Sequence, residues 1–523
     1  MGNKLVLSFA AAGVMVLSGC RVGPRYVAPA PPAPPAYKES APTAYSGATD
    51  AVWQPAQPQD AMLKGKWWEI FREPELNGLE DTLNIDNQNI ALYFQNFMAA
   101  RSQVKQAKAS YYPTVGVAPA YTREKSPSTL RGVGVSSGTT TGTGTTGTTG
   151  TTGTSTTSTG GTYTDLSLPF DVSWEPDLWG KIRNTVREYQ YATQVSAADL
   201  ENERLTEQAD LAEYYFELRG QDALQQVYDA TIDADRKSLD LTKVLVETGI
   251  DSPEAVAQAE VTLKNAEEAG AGVAQNRAIY EHAIATLIGK PASSFSLPVR
   301  AATPAAPAIP VGVPSQLLQR RPDIAAAERT MAEANALIGV EKAAYYPTLS
   351  LTGTGGLESS HISSLFSVPA FFWTLGASAS ETIFDAGLRK ATVAQYTAQF
   401  NADVASYKET VLTAFQQVED YIATLRVTSQ QIAKQQEAID AAQRYVDIAT
   451  ARYQTGLDPY LNVISAQTTL LSDQQTQVTL KVSEMTAAVQ LIQALGGGWD
   501  TALLPGASQV NTNGAVRQVS QTP

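Results

Sequence analysis

From Leu388 to Thr455 no proline interrupts the chain, and Val404, Val411, Val418, Leu425, Ile432, Ile439 and Val446 recur every seven residues. A seven-residue apolar period is the seam of a coiled coil. A helix of that length reaches about 100 Å at 1.5 Å per residue, several times the thickness of a bilayer. The stretch from Lys181 to Glu247 repeats the pattern with Leu211, Leu218, Ile232, Leu239 and Val246 in phase and Gln225 breaking it. Any fold proposed for this chain must therefore house two very long helices.

The two helices belong to an internal duplication. At an offset of 207 residues, Gly180 falls on Gly387, Tyr214 on Tyr421, Leu218 on Leu425, Thr248-Gly249 on Thr455-Gly456, Leu263 on Leu470 and Gly289 on Gly496. Tyr111-Tyr112-Pro113 matches Tyr345-Tyr346-Pro347 at an offset of 234, so the first copy carries 27 extra residues. They lie in a tract from Gly138 to Gly161 that is almost entirely Thr, Gly and Ser. Such a composition buries too little apolar surface to offset its ordering entropy, and it reads as a disordered loop. The resulting partition is a signal over 1–19, a Pro-rich linker over 20–60 and a first repeat over 61–290 with its Thr/Gly loop at 136–162. A linker over 291–313, a second repeat over 314–498 and a loose polar tail over 499–523 complete it.

Each copy also predicts two shorter helices, Pro74 to Ser110 and Ser252 to Gly289 in the first, Pro314 to Ala344 and Pro459 to Gly496 in the second. Their summed length approximates that of the long helix, so stacked end to end they can pair along it. The reversals fall at Thr248-Gly249 and Thr455-Gly456, where glycine permits the left-handed conformation of a helix stop. Four further stretches alternate with a period of two, as half-buried strands do. Leu166, Leu168, Phe170, Val172 and Trp174 share one face; Leu349 with Leu351, and Trp373, Leu375, Ala377, Ala379 and Ile383, behave likewise, and Thr114 to Thr122 is the weakest. Their opposite faces are rich in Ser, Thr and charge, as a water-filled lumen requires. Four strands cannot close a barrel, which needs about eight. Three chains would supply twelve.

Lys4, an apolar run from Leu5 to Leu17 and Leu17-Ser18-Gly19-Cys20 have the layout of a lipoprotein export signal. Cys20 is the only cysteine, which excludes an internal disulfide and thiolate metal chemistry and leaves it as the lipidated anchor. A net charge of −14 speaks against nucleic-acid binding. His282 and His361 stand far apart, outside any metal-ligand spacing, and Gly132-Val133-Gly134 leads into the low-complexity loop rather than a helix, so neither metal site nor phosphate cradle is expected.

The chain resembles the TolC-like outer-membrane factors, and among them the NodT-type lipoproteins of resistance-nodulation-division pumps. The marks are Gly23-Pro24-Arg25-Tyr26, Trp67-Trp68 with Phe71 and Pro74-Glu75-Leu76, and above all Leu317-Leu318-Gln319-Arg320-Arg321-Pro322-Asp323-Ile324 followed by Ala326-Ala327-Glu328. The resemblance implies a mainly α protein with a β-barrel. A homotrimer would have a twelve-stranded transmembrane barrel, four strands per chain, continued by a twelve-helix periplasmic coiled-coil tunnel. It further implies an outer-membrane exit duct without enzymatic activity, fed by an inner-membrane pump through a periplasmic adaptor, with no cofactor besides N-acyl and S-diacylglycerol groups on Cys20. Adaptor contact would fall on Thr248, Gly249, Thr455, Gly456 and Leu457. Family members close the tunnel tip with inward acidic residues, often Asp where this chain has Asn462 and Ser465. By the resemblance the constriction's cation preference is then weaker, or supplied by Asp458, Asp251 and Glu254 instead, and Arg452 and Tyr453 are candidates for links between hairpins. A type I protein secretion conduit shares this architecture. A coiled-coil lipoprotein tether would leave the alternating strands without a role.

Overall fold

A computed structural model describes residues 22–30, 34, 37–39, 65–125, 162–300, 306–309 and 314–511. The signal, Cys20, most of both linkers and residues 136–161 of the Thr/Gly loop lie outside the described residues. The chain divides into two compact units, one built mainly from 106–184 and 339–392, the other mainly from 24–105, 185–338 and 393–511.

The first unit holds an antiparallel sheet. Its strands are β1 (Thr114–Val117), β2 (Ala120–Lys125), β3 (Thr162–Trp174), β4 (Thr348–Ser359) and β5 (Phe371–Ser380). The order is β1-β3-β4-β5, with β2 also on β3. The stretch expected as one strand, Thr114 to Thr122, is two, because Ala118-Pro119 interrupts it and proline cannot donate to a ladder. Both pieces pair with β3, Val115 opposite Val172 and Tyr121 opposite Leu166, so the sheet still has four columns.

The second unit is helical. Its helices are α1 (Pro74–Asp86), α2 (Gln88–Ala109), α3 (Lys181–Glu247), α4 (Pro253–Leu287), α5 (Pro314–Arg320), α6 (Pro322–Ala343), α7 (Leu388–Gln454), α8 (Tyr460–Ala494) and α9 (Ala507–Asn511); α3 and α7 begin, and α2 and α6 end, in the first. Along α7, Val411, Val418 and Leu425 are buried as the seven-residue period requires. Beyond Leu425 and before Tyr453 the buried positions become Thr428, Ala442 and Ala449, small residues that let helices approach closely, while Ile432, Ile439 and Val446 are half-exposed. The main core gathers Trp67, Phe71 and Leu76 with Tyr215 and Phe216 of α3 and Val411 and Val418 of α7. A buried ionic web joins it: Asp222 takes Arg219 at 2.7 Å and Arg277 at 2.7 Å, and Arg219 also holds Glu75.

Two expectations are corrected. The short helices at 74–110 and 314–344 are each broken, at Asn87 and at Arg321. The tail is not loose as far as Asn511: Trp499 packs on Ala198, Ala325 and Ala326, Asp500 caps a 3-10 turn at Thr501–Leu503, and Val510 is buried. The described parts of the first linker are also held, since the Lys38 and Glu39 amides donate to the Glu419 carboxylate and the Tyr26 hydroxyl to Glu328 at 2.6 Å.

Candidate functional site

The two helix reversals form one site. At the end of α3 the Gly249 amide donates to Val246 O and the Ile250 amide to Leu245 O; at the end of α7 the Gly456 amide donates to Tyr453 O and the Leu457 amide to Arg452 O. This paired closure is the Schellman motif, and it needs a left-handed residue, which Gly249 (φ 73) and Gly456 (φ 72) supply. The Thr248 and Thr455 hydroxyls donate back to carbonyls of the last turn, Val244 O at 2.9 Å and Arg452 O at 2.9 Å. Pro253 and Pro459 then start the return helices.

The duplication makes Asp251 and Asp458 equivalent, and two successive residues of α7 hold them. Arg452 grips Asp458 through two bonds, Nε to Oδ2 at 2.6 Å and Nη2 to Oδ1 at 3.0 Å. This link lies inside one turn, not between hairpins. The Tyr453 hydroxyl donates to Asp251 Oδ2 at 2.7 Å and lies 3.1 Å from the Thr242 hydroxyl, so this residue does join the second hairpin to the first. Burial, then hydrogen bonding to Asp251, pushes the Tyr453 phenol up to about 12, and the Arg452 guanidinium holds Asp458 below its usual range. Both aspartates are therefore engaged. Glu254 is exposed and accepts a bond from Gln258 at 3.3 Å.

Beneath the turns Leu239, Ala255, Ala259, Ala449, Tyr453, Tyr460 and Val463 form a small separate core. Ile250 and Leu457 protrude from it, 61% and 68% exposed. Sequence reasoning missed Thr242 and Tyr460, whose ring lies 5.2 Å from that of Tyr453. Neither carries a charge or turn signal, and Thr242 stands outside the apolar seam of α3.

A second feature explains the Arg-Arg-Pro-Asp string. At the break between α1 and α2, Asn87 Nδ2 donates to Leu287 O at 2.9 Å, at the end of α4. At the break between α5 and α6, Arg321 Nη1 donates to Ala494 O at 3.1 Å, at the end of α8. Leu287 and Ala494 stand 207 residues apart, and Asn87 and Arg321 stand 234 apart, the two offsets of the duplication. Arg321 thus performs in the second copy what Asn87 performs in the first, with Asp323 (2.6 Å) and Gln417 (2.9 Å) fixing its guanidinium.

The profile of the outer membrane efflux protein family matches residues 82–290 and 313–497, both copies of the duplicated unit. The chain belongs to that family. It is 28% identical over 501 residues to the antibiotic efflux pump outer membrane protein ArpC of Pseudomonas putida, covering 95% of this chain and 96% of that one. The toluene efflux pump outer membrane protein TtgC of the same species is 28% identical with the same coverage. Among solved structures, the outer-membrane channel OprN superposes with a TM-score of 0.77 at 25% identity, covering 92% of this chain and all of that one. The Campylobacter jejuni CmeC outer membrane channel superposes with a TM-score of 0.77 at 21% identity, over 94% and 97% of the two chains. This outer membrane efflux protein therefore has the TolC-like fold, mostly helical with one sheet.

Proposed function

We propose that this efflux protein is the passive exit duct of a tripartite pump, three copies closing a twelve-stranded barrel in the outer membrane and a twelve-helix tunnel in the periplasm. The sheet carries this reading. Its four columns end in β5 on one side and in β1 and β2 on the other. Open edges leave backbone groups unpaired, which hydrocarbon does not tolerate, and four columns are too few to close. Along β5, Phe371, Trp373 and Leu375 are 62%, 67% and 76% exposed and alternate with Phe372, Thr374 and Gly376. Apart from Phe372, that is the alternation of a lipid-facing wall with a wet lumen.

The cargo are small molecules such as drugs, toxic organics or metal ions, a reading supported by relatives named for antibiotic and toluene efflux. An inner-membrane pump of the resistance-nodulation-division class supplies the energy. A periplasmic adaptor meets the turns, where Ile250 and Leu457 offer exposed apolar side chains. Acyl groups on Cys20 anchor the chain in the NodT-type manner. Purification in detergent should yield a trimer that conducts ions in a planar bilayer; a monodisperse monomer without conductance overturns the proposal. A deletion strain should gain susceptibility to drugs, solvents or metal salts, whereas loss of secretion of a whole protein at unchanged susceptibility would favour the type I conduit.

A further inference from the structure

Asp235 of α3 is a buried acid that no group among the described residues answers. It is 2% exposed, and neither carboxylate oxygen has a hydrogen-bond partner. It lines a groove of about 740 Å³ whose floor is α3 and whose walls are α4 and α8. Val261 and Leu461 form exposed apolar shoulders, with Ile464 and Leu471 further in. A second acceptor is unmet: Gln467 donates its amide nitrogen to the Ser238 hydroxyl at 3.0 Å and leaves its Oε1 buried without a partner. Among the described residues, no lysine or arginine lines the groove.

The titratable groups around the groove do not neutralise Asp235. Tyr228 of α3 lines the groove and accepts a bond from Gln475, Glu254 of α4 is itself acidic, and Tyr460 of α8 adds only a neutral phenol. Burial raises the Asp235 carboxyl to about 6, which leaves it mostly ionised at neutral pH. An ionised group withdrawn from water without a counter-charge costs several kcal/mol, and a fitting cation removes that cost. Apolar walls converging on a few polar atoms, at a volume of several hundred Å³, are the format of a small-molecule site.

We propose that the groove between α4 and α8 binds an amphipathic organic cation, whose ammonium or guanidinium group reaches Asp235 and Gln467 Oε1 while its apolar body lies between Val261, Leu461 and Ile464. The side chains covering the carboxylate shift on entry, an ordinary rotamer adjustment at a binding surface. Every component belongs to one chain. The site therefore stands independently of the trimer and of the export reading.

The test uses the full-length protein in amphipol with a fluorescent dye bearing a primary ammonium group and an uncharged dye of the same body. Asp235→Asn should weaken binding of the cation by about tenfold or more, the worth of one charge-assisted hydrogen bond, and leave the uncharged dye unaffected. Acidification from pH 7.5 to 5 should reproduce that loss in the native protein and not in the variant. Val261→Trp, at an exposed position that folding does not depend on, should block the groove. Equal cation binding by native and Asp235→Asn proteins overturns the proposal, as does equally tight binding of the uncharged dye to the native groove. If neither dye binds and a basic helix of a partner protein instead shields a cysteine introduced at Val261, the groove is a protein-docking surface and the assignment falls. Bilayer conductance of both variants without dye should match the native channel, which separates failure here from failure of the duct reading.

Discussion

Arg452 and Tyr453 are neighbours, yet their bonds differ in worth. The Arg452–Asp458 pair is exposed, with the arginine side chain 53% accessible, and solvent screening leaves such a pair little net worth. The Tyr453 hydroxyl is buried, and losing it takes from Asp251 its bond across the hairpins and leaves it the local Ser252 amide. Tyr453→Phe keeps the ring packing on Tyr460 and should loosen the tip, raising single-channel conductance in bilayers; Arg452→Ala should do so less. If Tyr453→Phe conducts like the native protein, the hydroxyl is not a latch. At Gly456, φ is 72, where a β-branched residue is strained by about 1–3 kcal/mol. Gly456→Val, and Gly249→Val likewise, should abolish export in a susceptibility assay while leaving trimers intact on native gels. Normal export by either would remove the turns from the adaptor interface.

Among the elements, the long helices were legible to within one residue, since α3 and α7 begin and end where the heptads and glycines place them. The period of two located β3, β4 and β5, because apolar and polar side chains alternate between the two faces of a strand. The break at Arg321 had a local mark in Pro322, which cannot continue a helix, whereas the break at Asn87 had none. Asn87 interrupts α1–α2 because its side chain bonds Glu207 at 2.7 Å, the Leu287 carbonyl and, at 2.9 Å, the Ile90 amide, partners remote in sequence except the last. The tail was misread because composition averages over residues, whereas Trp499 and Val510 anchor it singly. Site residues followed the same rule: the turn glycines announced themselves, but the bond from Tyr453 to Asp251 crosses 202 positions. The clamps also predict where methyl groups are forbidden. A Cβ on Gly289 would lie 2.5 Å from Asp86 O, and one on Gly496 would overlap Arg320 O, backbone that cannot give way cheaply. Gly289→Ala and Gly496→Ala should each lower the thermal unfolding temperature measurably. An exposed glycine such as Gly78, where nothing lies within 4 Å, should tolerate alanine and serves as the control.

For the molecule as a whole, its acidic charge sets how stability responds to pH. Burial raises Glu188, beside Glu333, to about 7, and raises Glu213 to about 7, while Asp235 stands at about 6. In the unfolded chain these groups titrate near 4.5 and 3.8. Between those limits the folded protein binds more protons than the unfolded one, so stability falls as pH rises through that window. Asp458 and Asp385 act in the opposite sense, because their arginines depress them. Their contribution is full above the unfolded value of 3.8 and is lost only as pH falls below it, so it is constant in the upper window. Acidification from pH 7.5 to 5.5 should therefore raise the unfolding temperature followed by helical circular dichroism. Glu188→Gln with Glu213→Gln should flatten part of the rise by removing two of the groups whose burial drives proton uptake. A melting temperature that drops steadily across this range would mean that the α3 carboxylates are solvated as freely in the folded protein as in the unfolded chain.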